Sequence, residues 1–245
     1  MLKVVTKIKK TKKLVEAMVL VILLLCSLVL IFHNSIRDWM VAQNQNRYQI
    51  GSVSVQKIDR NKKLSGNFDT TGVKTVNFLD VAKAQMDNKN YPIIGALSYP
   101  ALKISLPIFN GDGDTTMLYG CGTMKEGQQM GKGNYALASH HVSNVIGHSG
   151  DGLLFSPLVN AEKDQAIYLT DKTSVYEYKT DKVFQVTPEE GQVILDKEDK
   201  KEITLITCAT DDTYRIVVQG HLVKRMTFDE QTAQVFSSKY TQYWR

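Results

Sequence analysis

Ile203-Thr204-Leu205-Ile206-Thr207-Cys208 and, starting seven residues after the cysteine, Arg215-Ile216-Val217-Val218-Gln219-Gly220 decide how this chain folds. Both runs are rich in β-branched and aliphatic residues, and the polar stretch Ala209 to Tyr214 separates them, so they read as the two strands of a hairpin. The first run has the continuous apolar character of a buried strand. A hairpin returns the chain to where it turned, which places the Cys208 thiol and the Arg215 guanidinium at one end, with a fixed cation beside the sulfur.

Working outward, the same β-type signal covers Leu102 to Ile108, Thr116 to Gly122, Tyr135 to Ser139, Ala166 to Thr170 and Val175 to Val186, and it carries the second hairpin strand from Arg215 to Lys224. Turn clusters punctuate these runs, notably Asn110-Gly111-Asp112-Gly113-Asp114 and His148-Ser149-Gly150-Asp151-Gly152. Many strands of similar length with little helix between them predict an all-β domain, and the pattern leaves sandwich and closed barrel both open. Ahead of them, Val76, Leu79, Ala82 and Met86 recur at helical spacing and predict a short amphipathic helix over 76–87.

The amino-terminal region has a different character. Lys3, Lys7, Lys9, Lys10, Lys12 and Lys13 precede Leu14 to Phe32, an apolar run broken only by Glu16 and Ser27. At ~1.5 Å per residue the run spans about 28 Å, enough to cross a bilayer core. Residues 14–33 are therefore expected to be a retained transmembrane anchor. The lysine excess keeps tail 1–13 in the cytoplasm and sends the rest of the chain outside. A cleaved signal peptide is the rival reading, but no small-x-small cleavage site follows Phe32. Residues 34–69 are polar and without sustained period, and are expected to be a stalk, partly helical near Asp38 to Tyr48. The catalytic domain is expected over 70–228 and a polar tail over 229–245.

The formal charge of +5 is small for 245 residues and much of it sits in the lysine cluster, so the chain has no nucleic-acid-binding footprint. Three cysteines are too few for a disulfide framework. Cys26 falls in the membrane run. Cys121 has no histidine or arginine near it in sequence and reads as a small core residue, although a pairing of Cys121 with Cys208 is left open.

Upstream of the hairpin, Asn134-Tyr135-Ala136-Leu137-Ala138-Ser139-His140-His141 offers a histidine to exchange protons with the thiol. Thr-Leu-x-Thr-Cys, the upstream Ala-Ser-His-His and the downstream Arg-Ile-Val-Val-Gln-Gly together resemble the sortases, and most closely their class A. The resemblance covers roughly residues 70 to 225. It implies a closed eight-stranded β-barrel with short helices, behind the membrane anchor, and a cysteine transpeptidase of Gram-positive cell surfaces. It also implies His140, Cys208 and Arg215 as the catalytic residues. His140 is preferred to His141 because neighbours on a strand face opposite ways. Ala138, Ser139, His141, Pro188, Val193, Ile194 and Thr207 are expected to contact substrate, the loop Thr187 to Leu195 lining the groove.

By that resemblance the substrate is a Leu-Pro-x-Thr-Gly sorting signal on secreted proteins, cut between Thr and Gly. The acceptor is the amine of a lipid-linked cell-wall precursor. No cofactor is expected. Some class A members bind calcium, but Asp151 is the only carboxylate between His141 and Leu158, too few for an ion that prefers six or more oxygens. Asp112 and Asp114 with Asn110 read as a glycine-rich turn. Two other functions fit the same residues: a membrane-anchored peptidase that delivers the acyl group to water, and a non-catalytic surface domain that binds peptides with Cys208 inert.

Overall fold

The computed structural model describes residues 2–68, 76, 78–86, 89, 91–142, 153–208 and 213–236. Eight strands close into a barrel in the spatial order β1-β2-β3-β4-β7-β8-β6-β5. They are β1 (Ile93–Tyr99), β2 (Ile104–Phe109), β3 (Cys121–Thr123), β4 (Asn134–Ala138), β5 (Ala166–Thr170), β6 (Ser174–Val186), β7 (Glu202–Cys208) and β8 (Arg215–Thr227). β2 with β3 and β4 with β7 pair in parallel, and every other neighbouring pair is antiparallel. Closure gives every strand a neighbour on each side, and the long β6–β8 ladder extends beyond the barrel, with Lys182 to Val186 of β6 paired to β8 alone.

Alternation along the strands sorts the side chains. Tyr135, Leu137, Ile203, Leu205, Ile216 and Val218 join the large cluster that fills the barrel. Their neighbours Ile206 and Val217 form a separate cluster with Val186, against which Val193, Ile194 and Met124 pack. The outer face of β4, β7 and β8 is thus covered by the β6–β7 loop.

Two parts of the barrel differ from the sequence expectation. β1 carries no clear strand signal, because Gly95, Ala96 and Ser98 are weak β-formers, yet all seven of its residues are buried. Gly95 is there for space: a Cβ would come within 2.6 Å of the Thr170 carbonyl oxygen on β5. The strand expected over Thr116 to Gly122 is a helical turn, α4 (Asp114–Met117), followed by the short β3. The Thr116 hydroxyl donates to the Gly113 carbonyl at 2.7 Å, a local bond that favours the turn over a ladder.

A single helix, α1, runs from Leu2 to Arg47. It includes an apolar stretch long enough to cross a membrane, and Leu14 through Phe32 present their large apolar side chains outward. The region expected as a stalk is packed in its described part, 34–68. Val41, Ala42, Tyr48, Ile50, Val53 and Ile58 are buried in the main core, alongside α2 (Val55–Asn61) and α3 (Phe78–Met86). The Tyr48 ring meets Tyr119 at 5.0 Å and Phe109 at 5.5 Å, both edge to face. The carboxyl-terminal stretch is also anchored: Asp229 caps α5 (Glu230–Ala233), and Phe236 is buried. Residues 237–245 of the expected tail lie outside the described residues.

Candidate functional site

β4 and β7 run in parallel with Ala138 level with Ile206. The pairing continues past the end of β4, since the Ser139 N–H donates to the Ile206 carbonyl at 3.2 Å and the Thr207 hydroxyl to the Ser139 carbonyl at 2.9 Å. Carrying that register forward sets His140 level with Cys208. On the other side, Cys208 is paired directly with Arg215. Cys208 on β7, Arg215 on β8 and His140, two residues past the end of β4, therefore fall in one line, with neighbouring backbones ~4.8 Å apart.

The histidine pair is held by backbone bonds on both flanks. The His140 carbonyl accepts from the Phe155 N–H at 3.2 Å, the His141 carbonyl from the Val76 N–H at 3.3 Å, and the Val142 N–H donates to the Ser156 hydroxyl at 2.8 Å. His140, His141 and Cys208 are all buried. Cys208 packs with Met117 and Ala138, with Met124 against them. None of the three cysteines is in a disulfide.

Of the residues expected to contact substrate, Ala138 lies beside Cys208, and Val193 and Ile194 wall the same outer face. Pro188 is exposed at the start of the β6–β7 loop. Ser139 and Thr207 are buried with their hydroxyls turned to internal carbonyls, that of Ser139 donating to Gly120 at 2.6 Å. His148, Asp151 and the hairpin residues 209–212 lie outside the described residues.

Asn134 and Gln219 lie inside the quoted runs, but only the folded barrel shows what their amides do. The Asn134 side-chain amide donates to the Val193 carbonyl at 3.0 Å, as does that of Gln219 at 2.8 Å. Both also bond the Thr204 hydroxyl, at 2.8 and 3.1 Å. This network ties the short helix 191–194 to the face that bears Cys208. Glu189 in the same loop is held below the usual carboxylate range by its own backbone N–H and by Thr187, with the Arg215 charge adding to the effect.

Cys121 is as buried as Cys208 but differently placed. Its thiol donates to the Pro107 carbonyl at 3.4 Å, and burial pushes its pKa up. A cavity of about 1080 Å³ lies at the far end of β4 and β7, away from Cys208. Lys62 and Lys125 on its rim are already paired with Asp171 and Asp196.

A closed barrel with a thiol flanked by imidazole and guanidinium on adjoining strands describes a class of cysteine acyl-transfer enzymes. The Sortase domain family matches residues 97–223. Sortase A of Streptococcus agalactiae serotype III (strain NEM316) is 42% identical over 233 residues, covering 93% of this chain and 94% of that protein. Sortase A of Bacillus anthracis is 39% identical over 172 residues, covering 69% of this chain and 78% of its own length. The solved structure of Listeria monocytogenes sortase A matches with a TM-score of 0.55 at 34% identity, covering 60% of this chain and 99% of that one. The chain belongs to the sortase family, class A: it is a cysteine transpeptidase of the kind that anchors surface proteins.

Proposed function

We propose that this enzyme cleaves a Leu-Pro-x-Thr-Gly-type sorting signal between Thr and Gly and transfers the new acyl end to the amine of a lipid-linked cell-wall precursor. The alignment of His140, Cys208 and Arg215 on three neighbouring strands carries this reading. The Cys208 thiolate attacks the threonyl carbonyl, and the oxyanion that forms is met by N–H donors of Arg215. Arg215 stays protonated throughout, so its part is electrostatic. His140, as imidazolium, gives its proton to the departing glycine amine, leaving a thioester on Cys208. The neutral imidazole then takes a proton from the incoming amine as that amine attacks, and collapse of the intermediate returns the thiolate.

The walls of the site fit a largely apolar peptide. Met117, Met124, Ala138, Val193 and Ile194 surround the outer face near Cys208, and apolar walls favour capture of a bound amine over free entry of water. The positive-inside tendency of the lysine cluster supports a domain outside the cytoplasmic membrane.

Incubating the protein with a quenched Leu-Pro-x-Thr-Gly peptide, with and without an amine acceptor, tests the reading through the masses of the products. The native chain is expected to yield the amide of the acceptor, and Cys208→Ala to yield no product while still binding peptide. Product that is hydrolysed even with saturating amine would identify a peptidase. Turnover by Cys208→Ala would remove the nucleophile from the scheme.

A further inference from the structure

We infer that Thr204, Asn134 and Gln219 are positioning residues: acting through the Val193 carbonyl, they hold Val193 and Ile194 at a fixed gap above Ile206 and Val217, and touch no substrate themselves. The gap is the place where the apolar part of the sorting signal is gripped, so the inference rests on the substrate class proposed above. Thr204 and Gln219 belong to the two runs that define the hairpin, yet the reaction as drawn uses only Cys208 and Arg215 of those runs. The ladder shows what the other two polar side chains do.

Cys208 pairs with Arg215, Ile206 with Val217 and Thr204 with Gln219, while on the other flank Ala138 lies level with Ile206 and Ala136 with Thr204. Residues two apart on a strand share a face, so these pairs form successive rows on the outer face of the barrel. At ~3.3 Å per residue the Ile206 and Val217 row lies ~7 Å from Cys208, and the Thr204 and Gln219 row ~13 Å. The nearer row is apolar throughout and is covered by Val193 and Ile194. An extended peptide also rises ~3.3 Å per residue, which sets that row two residues from the cleaved carbonyl, level with the proline of the signal. The farther row is polar and lies beyond it.

The Thr204 hydroxyl is the hub of the farther row. It donates to the Asn134 side-chain oxygen at 2.8 Å and accepts from the Gln219 amide at 3.1 Å. Both amides donate in turn to the Val193 carbonyl, at 3.0 and 2.8 Å, and Asn134 also reaches the Leu195 carbonyl at 3.4 Å. All three side chains are buried, so their bonds form out of competition with water and a missing partner leaves a buried polar atom unmet. The wall itself has little else to hold it. Gly191–Ile194 is a single turn of 3-10 helix with no buried residue, and the N–H groups of Val193 and Leu195 bond within the loop, to the Glu190 and Gln192 carbonyls at 3.4 and 3.2 Å. One such turn is not stable alone. Its place is therefore set by side chains of β4, β7 and β8, the strands that carry or lead to His140, Cys208 and Arg215, and the wall shares one rigid frame with the reacting groups.

The test is Thr204→Val in the full chain in detergent, with Thr204→Ser as its rescue: valine keeps the β-branched shape and removes the hub, whereas serine keeps the hydroxyl. With the quenched Leu-Pro-x-Thr-Gly peptide, Thr204→Val is expected to raise KM about five- to tenfold with kcat held within about twofold, and Thr204→Ser to recover most of the loss. KM at the native value, with or without a fall in kcat, overturns the positioning role. In a Val193→Ala, Ile194→Ala background the same substitution should change KM by less than about twofold, because no wall is left to place; an undiminished rise overturns the route through the loop. Gln219→Met, which removes one of the two donors to Val193, takes the same measurements should Thr204→Val fail to fold. Amide hydrogen exchange reads the loop without substrate: residues 191–195 should exchange at least about fivefold faster in Thr204→Val while 202–208 keep their native protection. Equal exchange of 191–195 in the two proteins overturns the inference. If the native chain cleaves no such peptide, the proposed substrate fails instead, and exchange alone decides the positioning.

Discussion

Cys121 and Cys208 have the same burial and opposite surroundings, and the difference lies in what each sulfur faces. Cys121 donates to the Pro107 carbonyl, and its burial raises the pKa and keeps the proton on the thiol. Cys208 is paired across the ladder with Arg215, the cation that the proposed mechanism sets beside the thiol. Arg215 is also the residue whose charge and shape can be separated by substitution. A guanidinium offers several N–H donors in a planar fork, whereas lysine carries the same charge as a compact point. Loss of an oxyanion donor typically costs ~100 to 1000 fold in rate, and Arg215→Ala is expected to fall in that range. Arg215→Lys should recover only part of it. Single-turnover acylation with the sorting peptide measures both; wild-type acylation by the two variants would require a different oxyanion donor.

At the scale of elements, the turn after β5 shows how charge ties the amino-terminal region to the barrel. Asp171 accepts from Lys62 on the α2 side at 2.9 Å and from the N–H groups of Thr173 and Ser174 at 3.0 and 3.1 Å. Burial works against the charged carboxylate, but those bonds outweigh it and hold its pKa below the ordinary value. A carboxyl lowered on folding adds stability that is complete above its unfolded pKa of ~3.9 and is lost as pH falls through the folded value. Asp171→Asn should therefore lower stability near neutral pH by about 1 kcal/mol or less, since Lys62 is partly exposed and screened. It should also flatten the acid side of the unfolding curve. Melts from pH 7 down to pH 3 check this, and parallel curves for the two proteins would refute the coupling.

The same scale shows what the sequence makes legible. Ala166 to Thr170 reads as a strand at its observed bounds, and β6, β7 and β8 read to within a few residues, because long β-branched runs signal themselves locally. β1 does not, since its small residues are set by the close approach of Thr170 and are uninformative until that neighbour is known. The pairing of Cys208 with Arg215 is legible as a hairpin, whereas His140 enters only through the family resemblance. The anchoring of the β6–β7 loop by Asn134 and Gln219 is not legible, because an amide looks the same in sequence whether it faces solvent or a carbonyl 59 residues away.

For the whole molecule, the largest departure from the sequence reading concerns residues 34–68, whose polar composition hides an apolar stripe. Val41 and Ile58 are fully buried, Tyr48 sits in an aromatic cluster with Tyr91, Phe109 and Tyr119, and Ile50 and Val53 are nearly enclosed. Burying a large apolar side chain stabilises by about 1.5 to 3 kcal/mol. The combined contribution of these residues is thus comparable to the ~5 to 15 kcal/mol that a whole domain has in hand. A protein beginning at Asn34 should therefore fold as a stable monomer without the membrane run. One beginning at residue 70 exposes the faces that Tyr48, Ile50, Val53 and Ile58 cover, and should melt at least about 10 °C lower or aggregate on expression. Its loss of turnover should follow its loss of fold, because His140, Cys208 and Arg215 remain in the shorter chain. Thermal melts and peptide turnover on both proteins decide the matter: equal melting temperatures would make 34–68 a passive tether despite its burial.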